Sequence, residues 1–343
     1  MVESTEKNKD DVKVIAIKLP FDLQERILSF PFLHALRERY PEAEIHFITP
    51  KKEIEVLNLL PFTAFYHEFD EDEIKSVFDV HRYCANAKIF NVDLFISLTN
   101  SFADACLGLG LRAKERLGFG DGWNGVVLTK KNQRPRGLHI TEDFISLYKE
   151  LVGSNVDVKA RVMSRDLSPI IENWDTQPYI AINLSPLRNA GLDSDWIELL
   201  SMFENQRIVF FASEEQEKVQ VLIQPFLARL PKKNLYINFV HKSWIDLAKM
   251  LAFARGVITY EGPIASLSAY VGSKTLVLYD REDPQRTGPF YFLADVMIMG
   301  ASDPTLTVGS PKTGVLNQRR AFDMGQVLDK SVSFFKLDFN PKV

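Results

Sequence analysis

Residues 245–290 read IDLAKMLAFARGVITYEGPIASLSAYVGSKTLVLYDREDPQRTGPF. Ile245 to Ala254 carries a helical apolar pattern that stops at Arg255-Gly256. Val257, Ile258 and Thr259 form a short buried strand, followed by a turn holding Gly262 and Pro263. A second helix rich in small residues (Ala265, Ser266, Ser268, Ala269) leads into another buried strand, Thr275 to Tyr279. Helix, strand, loop, helix and strand in this order specify a parallel sheet covered by helices. In such a sheet the strand-to-helix loop lies at the carboxyl edge. There the first amides of the helix can receive an anion.

Working outward, the same alternation extends over most of the 343 residues, enough for two domains. Residues 1–11 read as a disordered leader without the features of a signal or transit peptide. Strands are expected at Val12–Leu19, Ala43–Thr49, Ala64–Phe69 (an edge strand) and Val92–Leu98. Helices are expected at Leu23–Tyr40 with a kink at Pro31, at Lys52–Leu60, over 71–88 and at Ser101–Leu111. A further helix opens at His139 and closes at Gly153, and residues 154–177 read as a linker. The second half starts with strand Tyr179–Leu184 and helix Trp196–Phe203. It continues with strand Arg207–Ala212, helix 214–230 and strand Leu235–Phe239, ahead of the quoted stretch. After Gly288-Pro289 the chain reads as irregular until a last helix, Phe322 to Phe335.

Hydrophobic content of 46% and charged content of 25% belong to a globular chain, and a formal net charge of −4 does not suggest a nucleic-acid partner. Cys84 and Cys106 are too few for a disulfide framework or a closed zinc site. His34, His46, His67, His81 and His241 show no ligand-like spacing, so no metal is expected. Walker, G-x-G-x-x-G and G-x-S-x-G fingerprints are missing. No apolar run approaches the ~20 residues of a membrane span. A cytoplasmic protein is expected, with a peripheral contact at the inner face of the inner membrane left open.

The quoted stretch resembles the donor-binding segment of the bacterial ADP-heptose:lipopolysaccharide heptosyltransferases, glycosyltransferase family 9. In that family a strand ends in Asp-Thr-Gly, a helix with a His follows, then a strand and a Gly-Pro segment. Here Tyr260-Glu261-Gly262 stands in place of Asp-Thr-Gly, and Ala265 in place of the His. A second resemblance covers 100–153: a small-residue helix, the basic turn of Arg112 and Arg116, Arg-x-Gly-Phe (Arg116 to Phe119), and a His that begins a helix. The resemblance implies a GT-B fold, two Rossmann-like doubly wound domains facing a central cleft. Residues 12–170 would form the acceptor domain and 171–320 the nucleotide-sugar donor domain, with 321–343 a helix returning to the first domain.

The resemblance also implies site residues. Aligned on Phe30-Pro31, Gln24-Glu25 falls where the family has Gly-Asp, which makes Glu25 the general base for the acceptor hydroxyl, with Asp22 a spare carboxylate. In the loop 185–196, Ser185, Arg188 and Asn189 occupy the neighbourhood of a donor-phosphate Lys, and Arg188 can bind a diphosphate bidentately. Tyr260, Glu261, Gly262 and Pro263 form the donor turn, and Arg112 and Arg116 are placed against the acceptor. The implied activity is metal-independent, inverting transfer of a sugar from an ADP-heptose-like donor to a lipid-linked, lipopolysaccharide-type saccharide. No cofactor is implied. A second class of function stays open: a catalytically inactive homologue that binds a sugar, a nucleotide or a protein.

Overall fold

The computed structural model describes residues 12–70, 73–135, 137–153, 167, 178–184, 197, 199–200, 203, 206–211, 228–230, 235–239, 243–279, 282–290, 296–300 and 324–335. The leader 1–11, helices 196–203 and 214–230, the loop 185–196 and nearly all of the linker 154–177 lie wholly or largely outside these residues. The chain forms two compact units, 1–161 and 162–343.

The first unit holds strands β1 (Val14–Lys18), β2 (Glu44–Pro50), β3 (Phe65–Phe69), β4 (Leu94–Ser97), β5 (Glu115–Phe119) and β6 (Lys130–Asn132). They form one sheet in the order β3-β2-β1-β4-β5-β6, every pair parallel. β1 pairs on both sides, Ile15 with Ile45 and with Leu94, which is why its sequence VIAIK is apolar rather than alternating. Helices α1 (Leu23–Leu28) and α2 (Phe30–Arg39) are separate, because the chain breaks at Ser29 rather than at Pro31. Pro31 sits in the first turn of α2, where its missing N–H is harmless, so the break falls ahead of it. Residues Ile54–Leu59 coil as a 3-10 helix. Helix α3 (Val77–Asn86) starts on a Ser76–Asp79 capping box, α4 (Phe102–Gly110) on Ser101, and α6 (Ile140–Val152) on His139, whose ring accepts from the Thr141 amide. Between them lies α5 (Asn124–Val127).

Two of these strands go beyond the sequence reading. The basic turn Arg-x-Gly-Phe is the buried strand β5, in which Leu117 and Phe119 enter the core. Gly118 lets it pass closely, since a Cβ there would come within 3.3 Å of Leu128 and 3.4 Å of Ser97. β6 closes that edge.

The second unit holds β7 (Ile180–Asn183), β8 (Arg207–Phe211), β9 (Leu235–Asn238), β10 (Gly256–Tyr260), β11 (Thr275–Tyr279) and β12 (Val296–Gly300). Their order is β12-β11-β10-β7-β8-β9, again all parallel. Counted from its own first strand, each sheet therefore has the order 3-2-1-4-5-6, that of dinucleotide-binding Rossmann domains. Helices α7 (Trp244–Ala252), α8 (Pro263–Tyr270) and the one-turn α9 (Pro284–Thr287) accompany it. β12 lies in the stretch read as irregular. The final helix α10 (Met324–Phe335) contributes Val327, Leu328 and Phe335 to the second core, packed among Ile180, Ile258 and Leu276. Arg255 Nε donates to Phe335 O at 3.2 Å, and any Cβ on Gly256 would collide with the Phe335 ring.

Candidate functional site

In a sheet of this order the ligand-binding end is the carboxyl edge at the point where strand order reverses. That point falls between β1 and β4 in the first unit and between β7 and β10 in the second. Both carry buried polar groups.

In the first unit the strand β1, otherwise apolar, ends in Lys18, which is only 2% exposed. Its ammonium donates to Leu19 O at 3.0 Å, lies 3.7 Å from Asp104 Oδ1 and sits 4.5 Å from the centre of the Phe69 ring. Burial pushes the Lys18 pKa down; the Asp104 carboxylate opposes this, and the nearby Arg26 guanidinium adds to it. Asp104, in the first turn of α4, also accepts from Thr99 Oγ1 at 2.7 Å, and Thr99 pairs with Ser97 at the end of β4. Beside them Asn124 donates to Asn100 at 2.7 Å, and Asn100 reaches Asp121 at 3.5 Å.

Arg26 is the second buried cation. Its guanidinium donates to Phe21 O at 3.0 Å and Pro20 O at 3.4 Å, on the loop after β1. It also reaches Lys52 O at 3.1 Å and Glu53 O at 3.3 Å, on the loop after β2. One side chain thus ties two carboxyl-edge loops together, and Glu53 is held in the left-handed region at φ 59°. Burial lowers the Arg26 pKa against the opposing Glu53 and Asp22 carboxylates. Glu25 is its neighbour in the first turn of α1, half-buried, with its amide capped by Asp22 Oδ1 at 3.0 Å. The structure therefore brings Glu25 and Asp22 to the ligand-binding end of this sheet.

It does not bring Arg112 and Arg116 there. Both follow α4 and precede or begin β5, which puts them at the amino edge of a parallel sheet. Arg112 is exposed in a left-handed turn at φ 54°. Arg116 is committed to structure: Nε donates to Val127 O at 2.7 Å and a terminal nitrogen to Ala113 O at 2.8 Å. Both thus lie at the opposite edge of this sheet from Glu25. A cavity of about 770 Å³ also opens at the amino edge, between Lys13, Arg39, Asp93 and Lys114. Its size is outweighed by the topology, because strand-to-helix loops lie at the other end.

In the second unit Asn183, ending β7, donates to Thr259 Oγ1 of β10 at 3.0 Å, across the reversal point itself. The turn after β10 holds Gly262 at φ 121°, a conformation closed to side chains with a Cβ, and Pro263 starts α8. Ala265 and Ser266 turn their amides back to Gly262 O at 3.1 and 3.4 Å, which among the described residues leaves the Gly262 and Ile264 amides to face an anion. Tyr260 is 5% exposed and packs in the core, so its ring fills space. Glu261 is half-buried, and its amide bonds Leu278 O at 3.0 Å. Two buried hydroxyls lie near this turn: Ser266 Oγ on α8 has no hydrogen-bond partner among the described residues, and Tyr279 Oη at the end of β11 has Thr287 as its neighbour. Burial raises the Tyr279 pKa, with the Glu282 and Glu261 carboxylates adding to it and the Thr287 hydroxyl opposing. Ser185, Arg188 and Asn189 lie outside the described residues.

Lys18, Arg26, Asp104 and Tyr279 are not among the residues singled out from the sequence. The available signal was a lysine closing the wholly apolar run VIAI.

Comparison with known proteins adds the following. The profile of glycosyltransferase family 9 (heptosyltransferase) matches residues 86–308. The lipopolysaccharide core heptosyltransferase OpsX of Haemophilus influenzae is 18% identical over 293 residues, 81% of this chain and 82% of its own length. A family 9 glycosyltransferase from Veillonella parvula superposes with a TM-score of 0.73 at 17% identity, over 95% of this chain and 98% of its own. The E. coli ADP-heptose lipopolysaccharide heptosyltransferase II does so at 0.67 and 16% identity, over 95% and 99%. E. coli heptosyltransferase WaaC, solved with ADP, gives 0.64 at 13% identity, over 84% and 93%.

Proposed function

The chain belongs to glycosyltransferase family 9 (heptosyltransferase), with the GT-B fold, and on that premise we propose that it moves a heptose-type sugar from an ADP-heptose-like donor to a lipopolysaccharide-type saccharide, with inversion and without a metal. The observation that carries this reading is the repeated one: each Rossmann-order sheet gathers buried polar groups at its own reversal point.

In the proposed reaction an acceptor hydroxyl oxygen attacks the anomeric carbon of the donor sugar. The new glycosidic C–O bond forms as the bond to the diphosphate breaks, and the nucleoside diphosphate leaves with the electron pair. The hydroxyl proton passes to the Glu25 carboxylate. Lys18 and Arg26 act behind it by holding the carbonyls of Leu19, Pro20 and Phe21, and so the course of the loop that leads into α1. Such positioning matters, because errors of about 1 Å can cost ~100-fold in rate. On the donor side, the Gly262 and Ile264 amides and the Arg188 guanidinium receive the charge that develops on the diphosphate. Glu261, next to Gly262 in the chain, is suited to a ribose hydroxyl, as acidic residues are in other nucleotide sites. Tyr279 and Ser266 offer hydroxyls to the same ligand.

A thermal-shift series with ADP-heptose, other nucleotide-sugars and the bare nucleotides tests the donor half. A ligand at about 100 times its dissociation constant stabilises by ~2.7 kcal/mol. A shift specific to ADP-sugars supports the reading, and a flat response to every nucleotide rejects it.

A further inference from the structure

The carbonyls of Leu19, Pro20 and Phe21 lead from β1 to the helix that carries Glu25, and buried cations hold all of them. Leu19 still pairs through its amide, which donates to Ile48 O at 3.0 Å, but the ladder to β2 ends there. Lys18 takes up Leu19 O, and Arg26 takes up Pro20 O and Phe21 O. Leu19 and Pro20 are buried, so the course of this loop rests on charge-assisted bonds rather than on water. Arg26 faces the Glu53 and Asp22 carboxylates. Lys18 packs on the Phe69 ring at the end of β3 and faces a like charge in Arg26 on α1. Among the described residues it meets one carboxylate, Asp104 on α4, at 3.7 Å.

The Asp104 carboxylate is not spent on its own helix. The start of α4 is capped by Ser101, whose hydroxyl accepts from the Asp104 amide at 3.4 Å. The carboxylate instead turns inward, and the residue is only 8% exposed. One oxygen accepts from Thr99 Oγ1 at 2.7 Å and the other faces Lys18. Because the Thr99 proton goes to Asp104, the 3.1 Å contact between Thr99 and Ser97 has Ser97 as its donor. Ser97 stands opposite Lys18 in the register of β4 on β1, so the polar contacts run across the reversal point of this sheet. Burying a carboxylate is unfavourable unless partners offset it, and the apolar surroundings of α4, with Ala103, Ala105 and Leu107 buried, do not call for one. The demand comes from Lys18.

We propose that Asp104 is a positioning residue for Glu25: through Lys18 it holds the Leu19 carbonyl, and with it the loop that sets where the Glu25 carboxylate stands. This deepens the proposed transfer reaction and rests on it. Burial favours loss of the Lys18 proton, Asp104 opposes it and Arg26 adds to it, so Lys18 deprotonates below the ordinary lysine range. As pH rises past that point the ion pair is lost and the loop loses its charged anchor. Turnover should therefore fall on the alkaline side, separately from the acid limb that Glu25 sets.

The test is the pH profile of kcat for sugar transfer from ADP-heptose by the full chain. The protonation of Lys18 is followed separately, without substrate, by NMR of isotopically labelled lysine, its signal identified by its absence from Lys18→Arg. Asp104→Asn keeps the shape and can still accept from Thr99. It should lower kcat by about tenfold or more and leave the donor KM within about twofold. It should also move the alkaline limb and the Lys18 titration to lower pH by about one unit or more. Asp104→Glu restores the charge and should bring the limb back toward the wild type. If Asp104→Asn does not fold, Thr99→Val keeps both charges while releasing the carboxylate, and should lower kcat and move the limb the same way. A purely structural role lowers the unfolding midpoint and leaves the limb in place; that result overturns the proposal. So does a Lys18 titration indifferent to Asp104→Asn. A wild type without turnover refutes the transferase reading and the positioning role with it, whereas an active wild type beside an equally active Asp104→Asn refutes the positioning role alone.

Discussion

Replacing Arg26 by Met removes the cation that ties the loops after β1 and β2 while keeping much of its aliphatic volume. The bonds to Phe21 O at 3.0 Å and Lys52 O at 3.1 Å are the better two of four. As bonds from a charged donor they contribute about 1.5 kcal/mol each. Those to Glu53 O and Pro20 O, at 3.3 and 3.4 Å, add little. Burying the guanidinium is itself unfavourable, as its lowered pKa records, and a Met recovers part of that penalty. The expected loss is therefore about 3 kcal/mol rather than the sum over four bonds. For a unit of 161 residues, at about 2–4 °C per kcal/mol, the melting temperature of the first unit should fall by roughly 6–12 °C. Urea unfolding gives the same quantity independently. Arg26→Lys should recover only a fraction, since one ammonium cannot serve both loops. A variant within about 0.5 kcal/mol of the wild type would refute the clamp, because surface substitutions fall in that range.

Other perturbations separate the remaining parts. Gly262→Ala places a Cβ at φ 121° and should cost about 1–3 kcal/mol while weakening any nucleotide-dependent thermal shift; an unchanged shift would remove this turn from the donor site. His46 and His67 share a 2.9 Å hydrogen bond, and burial holds both below the usual histidine pKa, with His46 also lowering His67. The unfolded chain then binds more protons below about pH 6.5, so stability falls as pH drops from there through the lowered folded values. His67→Gln should flatten that slope in urea titrations, and an unchanged slope would assign the pH dependence elsewhere. Arg112→Ala, at the amino edge, should leave the acceptor KM within about twofold of wild type. A large rise in KM would place Arg112 at the acceptor in spite of its position.

Much of the architecture was legible because buried parallel strands leave continuous apolar runs. VIAIK, IAIN, GVITY and TLVLY are such runs, and the glycine and proline around positions 262 and 263 punctuate the helix that follows. β5 was hidden by its own composition: Arg116 and Gly118 read as a turn, although the glycine is there so that the strand can pass close to Leu128 and Ser97. Missing that strand had a consequence for the site. Once Glu115 begins a strand, Arg112 belongs to a helix-to-strand connection, and in a parallel sheet those connections gather at the amino edge. Lys18 and Arg26 were illegible for a different reason. A charged residue in an apolar pattern looks like an interruption until the carbonyls around it are known, and those come from segments as far apart as Pro20 and Glu53. The alternative of an inactive homologue is not favoured by the family membership.

Turnover tests the central claim most directly. Purified chain is incubated with ADP-heptose and a panel of lipopolysaccharide cores lacking or bearing heptose, and ADP release and acceptor mass are followed together. The account predicts equimolar ADP and heptosylated product, with Glu25→Gln slower by about 100-fold or more at an unchanged fold. Turnover that Glu25→Gln leaves intact would contradict the assignment of the base, and absence of both product and ADP with every acceptor would contradict the transferase reading itself.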